Sequence, residues 1–142
     1  FSLACLLLAG NSHAQLLDFK KKAPNQEATE EVRIGVVKEQ LKESPGLVLV
    51  YAKGLCCPSC AIGIRKMVSG LEFVDSSGDK KGVDLDPKHQ LVSFKIKEGK
   101  ALDEAKLVDA IDNAGYDPVR LYKIDGKKLV SNELADDEKA TN

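Results

Sequence analysis

Leu47-Val48-Leu49-Val50-Tyr51-Ala52-Lys53-Gly54-Leu55-Cys56-Cys57-Pro58-Ser59-Cys60 is the stretch that decides how this chain is read. Leu47 to Ala52 is an unbroken apolar run of strand length. Ala61 to Val68 follows with apolar residues at helical spacing: Ile62, Ile64, Met67 and Val68, with Leu71 beyond them. The thiols therefore fall in a loop between a strand and a helix. The orphan amides and the dipole of a helix N-terminus favour negative charge there. The same field lowers a cysteine pKa and prepares the thiolate as nucleophile or metal ligand. Cys57 and Cys60, two residues apart, can converge on one soft ion. A bare Cys-x-x-Cys is shared by zinc knuckles, redox enzymes and metal carriers, so the surrounding elements must discriminate.

Upstream the material changes. Residues 1–14 run from an apolar stretch, Phe1 to Gly10, into Asn11-Ser12-His13-Ala14. This has the form of the apolar core and cleavage region of a secretory signal, with Ser12 and Ala14 as the small residues before a cut at Gln15. The chain lacks an initial Met and a basic leader, so this piece is read as a signal remnant. The alternative is a buried helix of the mature domain. Cleavage would remove Cys5 and His13 and leave Cys56, Cys57, Cys60 and His89. Three clustered thiols with no distant partner make no disulfide framework. In an oxidising compartment they can pair with each other, Cys57 with Cys60 before any other choice.

Residues 15–44 form a polar linker. Within it Glu27 to Glu43 predicts an amphipathic helix capped by Thr29, with Val32, Val36, Val37 and Leu41 near one face and Gly35 as a weak point. Ser44-Pro45-Gly46 breaks it. Beyond the cysteines, Phe73-Val74 and Val83-Asp84-Leu85 both read as strand, with a polar loop between them. Either they are one interrupted strand, or one of them is only the approach to it. Leu91 to Ile96 alternates cleanly, Val92, Phe94 and Ile96 on one face. Leu102 to Asn113 predicts a second helix with Leu107, Val108 and Ile111 inward, closed by Gly115. Tyr116 to Ile124 reads as the last strand. Asp125 to Lys128 turns away, and residues 125–142 read as an acidic flexible tail.

The order strand, helix, strand, strand, helix, strand over residues 45–124 is the split βαβ, ferredoxin-like arrangement. The fold class is therefore α+β, an antiparallel sheet with both helices on one face and an added N-terminal helix. In that topology the cysteine loop, the turn carrying His89 and the loop carrying Tyr116 share one end. The chain has 142 residues, a net charge of −1 and no Trp, which suits one small aliphatic-cored domain. Neither bulk charge nor a basic, aromatic-studded stripe points to nucleic acid or to a membrane surface.

With these elements placed, residues 45–124 resemble the heavy-metal-associated domain family, which includes copper chaperones and periplasmic mercury-binding proteins. Gly54-Leu55-Cys56-Cys57-Pro58-Ser59-Cys60 is similar to the family's Gly-Met-x-Cys-x-x-Cys. Leu55 stands where the family has a core methionine. Leu107 to Tyr116, an apolar helix running into Ala-Gly-Tyr, is similar to the second signature. The resemblance implies Cys57 and Cys60 as ligands to Cu(I) or Hg(II), and an extracytoplasmic (secreted or periplasmic) carrier without enzymatic activity. It also implies exchange with a metal-donor or metal-acceptor protein, such as a membrane transporter, and a mature chain that does not insert into the bilayer.

Several residues carry open alternatives. Cys56 either faces the core in place of a small polar residue, adds a third sulfur ligand favouring Hg(II), or serves as a redox partner. Tyr116 either tunes the sulfurs from the second shell or is a core-edge aromatic. Met67 reads as core rather than as a copper thioether. His89 reads as a solvated turn residue. The competing function, from a different class, is a thioredoxin-like thiol–disulfide oxidoreductase using Cys57 and Cys60. The missing Trp before the motif and the element order past Cys60 weigh against it.

Overall fold

The structure is a computed structural model and describes residues 27–57, 59 and 61–134. The expected signal remnant and the far end of the expected tail lie outside the described residues. Among the described residues there are three helices, α1 (Glu30–Glu43), α2 (Ala61–Ser69) and α3 (Glu104–Asn113). Five strands accompany them: β1 (Leu47–Lys53), β2 (Val83–Asp86), β3 (Leu91–Lys95), β4 (Asp117–Asp125) and β5 (Lys128–Glu133). The strands form one sheet in the order β2-β3-β1-β4-β5, and every pairing is antiparallel. This is a mixed α+β fold.

β1 is apolar from Leu47 to Ala52 because the sheet is covered on both faces. Val48, Val50 and Ala52 point into the main core with Ile64 and Val68 of α2, and Leu107 and Ile111 of α3 pack there too. Leu49 points the other way, into a second cluster with Val37 and Leu41 of α1, Leu91 and Tyr122. The period-2 alternation of a strand thus serves two separate apolar layers.

The face of α1 differs from the one its valines suggest. Arg33, Val37 and Leu41 are buried, at i, i+4 and i+8, while Val32 is exposed. Thr29 caps the helix, its side chain accepting the Val32 amide at 3.5 Å. In α2 only Ala61, Ile64 and Val68 are buried. Ile62 and Met67 are exposed, which overturns the reading of Met67 as core. A nine-residue helix lying on a sheet buries one narrow stripe, and five apolar positions exceed it. α3 has Asp103 as N-cap, accepting the Lys106 amide at 3.1 Å, and closes with Tyr116 N–H to Ile111 O at 3.2 Å.

The uncertain stretch before β2 resolves as an approach. Val74 makes an isolated bridge to Ile96, and the strand proper begins at Val83. Between them the chain folds back so tightly at Gly82 (φ +69°) that a Cβ there would lie 1.8 Å from Asp75 O. Gly82→Ala therefore combines a backbone clash with left-handed strain. We expect it to lower stability by roughly 2–3 kcal/mol, read as the urea midpoint shift at constant m-value.

The segment after Asp125 is not the tail expected from that point. A two-residue turn, Gly126-Lys127, returns the chain along β4, from Asp125 opposite Lys128 to Arg120 opposite Glu133. Leu134 then packs into the main core. An edge strand exposes one face and one hydrogen-bonding edge, so the polar sequence Lys128 to Glu133 hides its strand character.

Candidate functional site

The cysteine loop springs from the end of β1. Lys53 pairs with Asp117 and Tyr51 with Leu91, so the starts of β3 and β4 flank it on either side. Gly54 turns the chain with φ +89°. Leu55 then plugs into the core beneath the loop with no exposure. The following residues alternate outward: Cys56 is exposed and Cys57 half-buried. Cys56 is therefore not the core-facing residue that one reading allowed. Its thiol is free. Cys57 is disulfide-bonded, and because Cys56 is free its partner lies outside the described residues. Ser59 Oγ donates to Cys57 Sγ at 3.6 Å. Cys60, the other expected ligand, is outside the described residues, immediately before α2.

Tyr116 does reach this loop. A Cβ on Gly54 would lie 3.8 Å from its Cδ1, so the ring packs over the point where the loop leaves the sheet. Its hydroxyl pKa is raised, by burial first and then by the negative charge of the Cys56 thiolate. The structure thus brings Tyr116, Cys56 and Leu55 together around Gly54, at the end of the sheet that topology anticipated.

His89 shares that end but is otherwise engaged. Its Nδ1 lies 2.5 Å from Asp86 Oδ2, and its amide donates to Asp86 O at 3.2 Å. Its carbonyl accepts from Arg33 Nε at 3.0 Å. The ring is a strut of the β2–β3 turn. Among the described residues no group of three or more His, Cys, Asp or Glu side chains is placed to share a metal ion.

Sequence reasoning missed Arg33 and Gln90, both buried beside this end. Arg33 was legible only as a charged residue in register with Val37 and Leu41. Gln90 gave no signal, since a polar residue in a turn is normally solvated.

The tyrosines offer a direct check on the electrostatics. Tyr51, Tyr116 and Tyr122 all have pKa values raised above the ordinary 10.0, burial being the largest cause in each. For Tyr51 the cation of Arg33 opposes the rise and Glu27 reinforces it. A folded-state value above the unfolded one contributes stability that is present below pH 10 and is lost as pH climbs through the raised values. In an absorbance titration at the tyrosinate band, we expect all three chromophores to ionise above pH 10, with unfolding overtaking the last of them.

No helix among the described residues is long and apolar enough to cross a membrane. Comparisons with family models, with curated proteins and with solved structures find no match to this chain.

Proposed function

We propose that this chain is an extracytoplasmic carrier of a soft metal ion, Cu(I) or Hg(II), bound by the thiolates of Cys57 and Cys60 and handed on by thiol exchange. The observation that carries the reading is the cysteine loop itself. It is held from beneath by fully buried Leu55, leaves Cys56 exposed and Cys57 half-buried, and has Tyr116 packed at its root. Such a site is rigid where it joins the sheet and open where a partner must approach. Two thiolates suit ions that accept low coordination and soft sulfur, whereas Zn(II) requires further ligands. A half-open site lets an incoming thiolate add before the outgoing one leaves, which favours transfer over storage. The partner is a metal-donor or metal-acceptor protein with exposed thiols, such as a membrane transporter.

We assign the fold to the ferredoxin-like class, extended by α1 and β5. Support comes from the order β2-β3-β1-β4 with all pairs antiparallel and α2 and α3 on one face. The resemblance of residues 45–124 to heavy-metal-associated domains rests on the two sequence signatures.

A second reading has one observation in its favour. Cys57 is disulfide-bonded, as in an oxidised thiol–disulfide oxidoreductase. Weighing against it, no described strand pairs in parallel, whereas the thioredoxin-like motif sits beside a parallel βαβ unit. For the carrier, the disulfide is a resting state. Two electrons and two protons from a thiol reductant open it, and the two thiols release their protons as the metal binds.

The test is a competition titration of the reduced, oxygen-free chain with Cu(I), Hg(II) and Zn(II) against chelators of known affinity. We expect tight equimolar binding of Cu(I) or Hg(II) and weak binding of Zn(II). Cys56→Ser separates a two-sulfur site, which keeps its affinity, from a three-sulfur site, which does not. Absence of tight binding to any soft metal sinks the carrier and leaves the oxidoreductase.

A further inference from the structure

Arg33 is 4% exposed, yet among the described residues no carboxylate pairs with it. Its guanidinium donates to three neutral acceptors: Ala28 O at 2.8 Å, His89 O at 3.0 Å and Gln90 Oε1 at 3.3 Å. It also stacks 3.5 Å from the centre of the Tyr51 ring. An apolar residue at this position would complete the stripe of Val37 and Leu41 with a smaller desolvation cost. What the arginine adds is a grip on the turn that precedes β3.

Gln90 is the object of that grip. It is buried and holds φ +56°, a conformation that non-glycine residues rarely adopt. Its side-chain oxygen accepts from Ala28 N and Arg33, and its amide nitrogen donates to Pro87 O and Lys88 O. Every hydrogen-bonding position of the side chain is thereby used. Its backbone carbonyl accepts the Ala52 amide at 2.9 Å, just past the last β1–β3 pair. The β1–β4 register shifts between Tyr51 and Ala52, at the same point. Ala52 O in turn accepts the Leu55 amide at 3.4 Å, one residue before Cys56.

We propose that α1 is a positioning element for the cysteine loop: Arg33 holds Gln90 in its left-handed conformation, and Gln90 fixes Ala52, from which the loop to Cys57 springs. Only the metal-binding consequence rests on the carrier reading. A loop whose root is fixed presents its thiolates with less reorganisation, and loosening the root weakens the ligand set without removing a ligand.

The test compares Arg33→Met, Gln90→Ala and a control, Leu41→Ala, in the full chain. Leu41 lies two turns further along the same face of α1, in the apolar cluster with Val37, Leu49, Leu91 and Tyr122. Three properties are read under native conditions: hydrogen exchange of the Ala52 amide, alkylation rate of Cys56 with the Cys57 disulfide closed, and Cu(I) affinity after reduction. We expect Arg33→Met and Gln90→Ala each to speed Ala52 exchange and Cys56 alkylation by about fivefold. Each should also weaken Cu(I) binding by roughly tenfold. Leu41→Ala should change Cys56 alkylation by less than about twofold despite costing at least as much global stability. Equal acceleration in Leu41→Ala at matched stability would make Arg33 merely structural and overturn the proposal. So would unchanged Ala52 exchange and Cys56 alkylation in both Arg33→Met and Gln90→Ala. Gln90→Ala carries the test where Arg33→Met does not fold. A parent chain that binds no soft metal removes the carrier reading and leaves the exchange and alkylation arms to decide the positioning role.

Discussion

Cys57→Ser lowers the affinity of the reduced chain for Cu(I) or Hg(II) by more than about a hundredfold, beyond what loss of a supporting residue around a metal site costs. The substitution removes one of two sulfur donors and leaves a hydroxyl, a hard and weakly acidic group that a soft ion does not choose. Among the described residues the one other sulfur beside it is the free thiol of Cys56, whose share the Cys56→Ser arm reads separately. His89 is tied to Asp86, and no described cluster supplies a third donor set. The fold should survive, because Cys57 is half-buried in a loop whose anchor is Leu55. Competition titration reads the affinity, and far-ultraviolet circular dichroism checks the fold. Retention of parental affinity would show that the ion sits elsewhere and would remove Cys57 from the site.

Leu49→Asp has the largest expected effect on stability, a loss of about 4 kcal/mol or more, enough to unfold a small domain. Leu49 has no exposure and faces Val37, Leu41, Leu91 and Tyr122 on the side of the sheet that α1 covers. A carboxylate there is buried with no cation to meet it. Arg33, the buried cation among the described residues, is committed to the turn at His89 and Gln90. Urea unfolding of the full chain gives the answer. A change below about 1 kcal/mol would mean that this face is open to water and that α1 does not stay on it.

Much of the candidate site was legible because its parts are local. Gly54, Leu55 and the cysteines follow a strand and precede a helix, and that succession alone puts the thiols at a sheet end. Tyr116 was legible through the helix-ending glycine before it and the strand after it. The exposure of Cys56 was not, because a loop's side-chain directions depend on which residue the core takes, and here it takes Leu55. Nor was β5, despite the Asp125-Gly126 turn signal, since its residues carry too little apolar alternation to announce a strand. The exposure of Ile62 and Met67 followed from how few positions a short helix can bury against a sheet.

The sequence by itself determined the succession of elements from Leu47 to Ile124 and the loop that bears the thiols, because periodicity, caps and turn residues act within a few residues of one another. Only the tertiary structure decided that β1 is buried on both faces, that α1 lies on the second face, and that Arg33 reaches Gln90 and, through it, Ala52. The contacts of Arg33 with His89 and Gln90 join residues separated by more than fifty positions. Short-range pattern cannot register them, because what selects them is the cost of leaving an apolar sheet face wet and a buried guanidinium without acceptors.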